Sequence, residues 1–195
     1  MNSLVENQIN KFILGKFIKK KKILSFAFNM KCEKITLNTG EIFIAKYYQK
    51  KNENFNSIIS ETNSLIYLLK KFPELFPSIK FKSDDLLIMD FIENNNLKNN
   101  DYQKILSDGI IKLHTISNDK YGFNFDAQIG GLKQINGFES NWVNFFRDKR
   151  LNMIFEEINK NKPMPAIINK KIEKLLIDLD NFLPKNPSAR LLHGD

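Results

Sequence analysis

Asn38-Thr39-Gly40-Glu41-Ile42-Phe43-Ile44-Ala45-Lys46-Tyr47-Tyr48 opens on a turn signal and continues as an alternating run. Successive side chains of a strand point to opposite faces, so Ile42, Ile44 and Lys46 share one face and Phe43, Ala45 and Tyr47 the other. Every one of these except Lys46 wants burial. Upstream, Ile35-Thr36-Leu37 alternates as well, and the two segments read as a hairpin about the Asn-Thr-Gly turn. Residues 23–28 form a further apolar, strand-like segment. Downstream, a helix is expected over about 55–72, with Ile58, Thr62, Leu65, Ile66 and Leu69 facing inward and Pro73 and Pro77 ending it. After the turn Ser83-Asp84-Asp85, the run Leu86-Leu87-Ile88-Met89-Asp90 is a buried strand leading into a polar linker, 93–100.

Ser3 and Glu6 form a Ser-x-x-Glu capping box, so the first element is also helical, with Leu4, Ile9, Phe12 and Ile13 on its apolar face. Beyond the linker the pattern is helical to the end. Tyr102, Ile105, Leu106, Gly109, Ile110 and Leu113 mark one helix; Trp142, Phe145, Phe146 and Met153 a second; Ile168, Ile172, Leu175, Leu176 and Leu179 a third. A strand-rich lobe, a linker and a helical lobe make an α+β fold. Its divisions are an N-terminal helix and basic run at 1–22, a strand lobe at 23–92 and a helical lobe at 93–195.

A chain of 195 residues suits one domain or two small lobes, and buries roughly 70% of the unfolded surface. Hydrophobic residues at 42% and charged ones at 27% exclude a mainly disordered chain. No apolar run approaches the ~18 residues of a membrane-crossing helix, and Met1 to Glu6 shows no secretory signal. One cysteine, Cys32, makes no internal disulfide, and two His add little toward a zinc site. A cytoplasmic protein is expected.

The net charge of +8 comes from 30 basic residues, 27 of them Lys, in a chain that also holds 25 Asn. Such Lys- and Asn-rich composition follows from an AT-rich coding sequence without selection for an anionic partner. Lys19-Lys20-Lys21-Lys22 is read as a solvated helix end, since no interleaved aromatic and basic pattern accompanies it. Neither nucleic acid nor membrane is an expected partner.

The chemistry starts from Lys46. Glu61 lies on the flank of the next helix's apolar face, one turn from Ile58 and one from Leu65. A half-buried charge on each of two adjacent elements is expensive unless the two pair. A strand Lys paired with a carboxylate of the following helix is the device by which a kinase aims its Lys at nucleotide phosphates. The alternative is that Lys46 snorkels and Glu61 is solvated. His193-Gly194-Asp195, after apolar Leu191-Leu192, sets a carboxylate on a loop beyond a short strand, where a phosphotransferase holds its proton acceptor.

One further run is more specific. Leu113-His114-x-x-Ser117, Tyr121-Gly122-Phe123, Ile129-Gly130, Gln134-x-Asn136 and Trp142-x-x-Phe145-Phe146-x-x-x-Arg150-Leu151 closely resemble the fructosamine kinase (ketosamine 3-kinase) family. The resemblance covers about residues 23–195. It implies a protein-kinase-like two-lobe fold, with an antiparallel-sheet N-lobe and part of a helical C-lobe, and phosphorylation by ATP of a sugar hydroxyl on a small-molecule or protein-bound glycated amine. Within it, Lys46 resembles the phosphate-binding Lys and Glu61 its helix partner. Met89, Asp90, Phe91 and Ile92 look like the hinge, with backbone groups of Asp90 and Ile92 on adenine. Asp195 resembles the catalytic base, braced by His193. Gln134 and Asn136 would line a polar sugar cleft or else form turns.

Two departures accompany the resemblance. The family's glycine-containing first hairpin falls around 25–30, where this sequence has no glycine to let backbone N–H groups approach phosphates. In the family a Trp, an Asn and a second Asp follow, and these hold Mg2+. This sequence ends at Asp195, so metal ligands are expected beyond it, and residues 1–195 alone are expected to be inactive and at most to bind nucleotide weakly. The rival readings are an aminoglycoside- or choline-type kinase and a non-catalytic nucleotide-binding remnant. His114, Cys32 and the aromatic cluster Trp142, Phe145 and Phe146 are read as structural.

Overall fold

The alternation of 42–48 is realised as a strand with apolar cover on both sides. The computed structural model describes residues 3–49, 55–93, 101–129 and 132–192. Two units emerge, 1–98 and 99–195. The first contains helix α1 (Ser3–Ile13), strands β1 (Ile18–Ala27), β2 (Met30–Leu37) and β3 (Ile42–Tyr48), helix α2 (Ser57–Lys71), and strands β4 (Ile79–Lys82) and β5 (Leu86–Asp90). The strands form one antiparallel sheet in the order β1-β2-β3-β5-β4.

Each face of β3 contributes to its own cluster. Ala45 and Tyr47 pack with Ile35, Leu37, Leu86 and Ile88 beneath Val5, Ile9 and Ile13 of α1, and Phe43 meets Phe12 edge-on at 5.2 Å. Ile44 and Tyr48 pack with Leu87 and Met89 against Ile58 and Leu65 of α2. Each fully buried aliphatic side chain contributes about 1.5–3 kcal/mol, so this sandwich is the main source of the unit's stability. The β2–β3 turn contains Gly40 at φ +90°, a left-handed conformation that glycine adopts without strain. Asn56 caps α2, its side-chain oxygen accepting from the N–H groups of Ile58 and Ile59.

Two expectations need correction in this unit. Lys19 to Lys22 is no helix end: it lies inside β1, which starts at Ile18 instead of at 23. Charged residues are tolerated there because β1 is an edge strand, exposed from Lys19 to Ala27, and edge lysines discourage pairing with other chains. The buried stripe of α1 is Val5, Ile9, Ile13, spaced by four; Leu4 is 48% exposed. The first hairpin turns at Phe28 and Asn29, with φ +51° and +61°, so two non-glycine residues occupy the left-handed region.

The second unit is not helical throughout. Helices α3 (Tyr102–His114), α4 (Trp142–Phe146), α5 (Met153–Asn161) and α6 (Ala166–Ile177) are accompanied, among the described residues, by four short strands. These are β6 (Ser117–Asn118) paired with β9 (Ala189–Arg190), and β7 (Ala127–Ile129) paired with β8 (Leu132–Gln134). Strands of two or three residues carry no readable period. Between α4 and α5 the chain makes a π-helical turn over Arg147–Asn152. On α3 only Leu113 is buried, while Ile105 and Leu106 are more than 60% exposed.

Candidate active site

Lys46 stands near the end of β3 on the face covered by α2, opposite Cys32 of β2. Its Nζ lies 2.5 Å from Oε1 of Glu61, one turn along α2 from buried Ile58. The two side chains are 23% and 26% exposed, so both charges are partly stripped of water, and pairing offsets that cost. The snorkelling alternative for Lys46 is thereby set aside. The start of α2 is held by the Asn56 cap and by the Tyr48 hydroxyl, which accepts from the N–H of Ser57 at 2.6 Å. Those contacts set where Glu61 arrives.

The pairs Cys32↔Lys46 and Lys34↔Ile44 put Lys34 on this same sheet face. Its ammonium sits 3.7 Å from the ring centre of Phe91. Sequence reasoning missed Lys34, although the alternation Cys32, Lys34, Thr36 was available to find it. Burial pushes the Cys32 thiol above its ordinary pKa; nearby Lys46 opposes this, while Glu61 reinforces it. A thiol kept protonated in this way is a poor nucleophile, in line with a structural Cys32.

The four residues from Met89 to Ile92 divide by environment. Met89 is buried among the α2-side apolar groups, and Phe91 packs beside them. Asp90 pairs with Phe43, donates its N–H to the carbonyl of Ser78 at 3.0 Å, and holds Lys80 through its carboxylate at 3.1 Å. Ile92 is 62% exposed. An open hollow of about 460 Å³ beside Phe12, Lys16, Glu41, Lys80 and Asp90 flanks α1, on the far side of the sheet from Lys46.

In the second unit, Asn136 is buried with its amide used at both ends. Its Nδ2 donates to the carbonyl of Phe125 at 2.9 Å, and its Oδ1 accepts from Arg150 Nη2 at 2.7 Å. Arg150 also donates to the carbonyl of Ile135 and lies over the ring of Phe145. Arg150 lies within the π-helical turn, a local departure from α-helical spacing. The Asn136 N–H donates to Asp126, which also pairs with Lys133. Asn136 is therefore the centre of a loop brace, and Gln134, half-buried at the end of β8, is the freer of the two polar residues.

The segment toward the carboxyl end is tied to the end of α3. β9 pairs with β6, and the N–H of Leu191 donates to the carbonyl of Ile116 at 3.0 Å. His193 and Asp195 lie outside the described residues, as does Gly130. Among the described residues there is no group of three or more His, Cys, Asp or Glu able to hold a metal ion, and no helix is long and apolar enough to cross a membrane.

A family model described as fructosamine kinase matches residues 6–195. A "probable ketoamine kinase" of Vibrio vulnificus is 25% identical over 154 residues, which is 78% of this chain and 50% of that protein. The chain thus spans about half the length of this curated relative. Among solved structures, a "putative fructosamine-3-kinase" from Thermobifida fusca superposes with a TM-score of 0.76 at 17% identity, over 96% of this chain and 65% of that one. The streptomycin-ATP-APH(2")-IIa ternary complex gives a TM-score of 0.54 at 15% identity, over 93% and 59%. At such identities the structural likeness is one of fold, and the fold is protein-kinase-like.

Proposed function

The chain belongs to the fructosamine kinase family, and from that premise we propose that the whole protein transfers the terminal phosphoryl group of ATP to a sugar hydroxyl of a glycated amine. The observation that carries the reading is the Lys46–Glu61 pair: a cation fixed on a strand by the carboxylate of the next helix, on the sheet face that also carries Met89 and Phe91. A phosphate-binding cation held in this way does not have to be reoriented when the triphosphate arrives, which is the kind of preorganisation that phosphoryl transfer rewards.

In this reading Lys46 holds the phosphates and Glu61 orients it. Backbone groups of Asp90 and Ile92 take the adenine, against Met89 and Phe91. Asp195 accepts the proton of the attacking sugar hydroxyl, and His193 braces its loop. Gln134 is the residue offered to the sugar, whereas Asn136 keeps its loop in shape. ATP bound here supplies the transferred group. A neighbour of like fold was solved as a ternary complex with ATP, in keeping with that cofactor. Magnesium accompanies ATP in this chemistry, and the described residues include no group of three or more His, Cys, Asp or Glu to hold it.

The test is the whole protein with Mg-ATP and a glycated lysine, followed by mass spectrometry, with an aminoglycoside and choline as competing substrates. A phosphorylated sugar on the glycated lysine, lost in Lys46→Met and Asp195→Asn, is the expected result. Transfer to the aminoglycoside or choline alone, or to none of the three, would overturn the reading.

A further inference from the structure

Tyr121-Gly122-Phe123 and Trp142 carry much of the family likeness, yet the proposed reaction gives these side chains no work. We propose that Tyr121 is a positioning residue, whose hydroxyl fastens residues 187–191, the segment that leads in the chain to His193-Gly194-Asp195. This rests on the reading of Asp195 as proton acceptor.

Tyr121 Oη donates to the carbonyl of Pro187 at 2.6 Å, across 66 residues of sequence. Tyr121 is itself well anchored. Its N–H and C=O both bond to Glu139 at 2.9 Å, and its ring lies 5.3 Å from that of Trp142. Beyond Pro187 the same stretch of chain continues to hold the segment. Asn118 pairs with Ala189 and Ser117 with Arg190; Arg190 Nη1 donates to the carbonyl of Thr115 at 3.2 Å, and Leu191 donates to Ile116. The last of these ties is two residues before His193.

A ladder of two residues a side is marginal on its own. A side-chain bond from an anchored aromatic at the entry to that ladder sets which residues meet and keeps the ladder from sliding. A proton acceptor must be placed to well within an ångström, since a 1 Å error costs on the order of a hundredfold in rate. The Tyr121 hydroxyl supplies a fixed point for that placement without touching substrate.

Tyr121→Phe removes the hydroxyl and keeps the ring against Trp142, the only tryptophan, whose fluorescence reports that the packing survives. Hydrogen exchange at the Leu191 amide is expected to quicken roughly five- to tenfold, as for the loss of one hydrogen bond, with protection elsewhere unchanged. Nucleotide affinity should be unaltered while kcat for the glycated lysine falls by about a hundredfold. Unchanged exchange at Leu191, a loss of protection spread over the whole unit, or an unchanged kcat would each overturn the proposal. If the wild-type protein transfers nothing, the functional reading fails, and exchange at Leu191 still decides whether Tyr121 holds the segment. Should Tyr121→Phe not fold, exchange in the wild-type protein decides: a Leu191 amide that exchanges as fast as those of exposed loops would mean that nothing fastens the segment, and the proposal falls.

Discussion

The carbonyl oxygen of Gly137 stands 1.9 Å from the place that a β-carbon on Gly122 would occupy. Phe145 closes the other side at 3.0 Å, and Gly122 has φ +112°. No side chain fits, and backbone on the far side cannot yield, because the Gly137 N–H is bonded to the carbonyl of Phe123 at 2.9 Å. Gly122→Ala should therefore lose about 3 kcal/mol or more, or fail to fold. Urea unfolding measures it; a loss under about 0.5 kcal/mol, the size of an ordinary surface change, would show that the two loops part easily.

Lys46 and Glu61 are coupled through one short contact at about a quarter exposure. A double-mutant cycle with Lys46→Met and Glu61→Gln should return a coupling of about 1 kcal/mol, at the upper end for surface pairs. Each single variant should weaken ATP at least tenfold while leaving adenosine binding nearly unchanged, as the proposed phosphate role of the pair requires. Equal losses for ATP and adenosine, read by calorimetry, would argue that the pair only stabilises α2.

Arg150 donates to Asn136, to the carbonyl of Ile135 and to that of Lys149. A Lys cannot reproduce that fork. Arg150→Lys is expected to lose about 1–2 kcal/mol and to be nearly as destabilised as Arg150→Met. Full stability in the Lys variant would mean that charge alone suffices.

The Asn136 N–H, 2.8 Å from Asp126 Oδ1, holds that carboxyl below its ordinary value of 3.8, helped by Lys133 and opposed by burial. A folded-state pKa below the unfolded one contributes stability above the unfolded value, and that stability is lost as pH falls through the folded value. Asp126→Asn should thus melt lower than wild type at about pH 7, with the gap closing below about pH 4. Melting curves across that range decide; a gap that persists at low pH would point to shape instead of charge.

Ile105, Leu106 and Ile111 on α3 and Ile167 and Ile177 on α6 are each at least 60% exposed. Large exposed apolar surface drives association. Residues 1–195 in solution should show an apparent mass that rises with concentration in light scattering. A constant monomer mass and a concentration-independent melt would contradict this.

Much of the first unit was legible because its signals are local. The two-residue period of 42–48 set both faces of β3, Pro73 closed α2, and the expense of two half-buried charges pointed Lys46 to Glu61. What escaped had no local signature. Lysines on an exposed edge strand incur no burial cost, so nothing in 19–22 announced β1. The bond from Arg150 to Asn136 spans 14 positions, and the tie from Tyr121 to Pro187 spans 66. Side-chain periods report which face of an element avoids water, and chain sequence carries those periods on its own. Which loop meets which is decided only when the elements pack, because a hydrogen bond across a long loop exists only after closure entropy has been overcome by that packing.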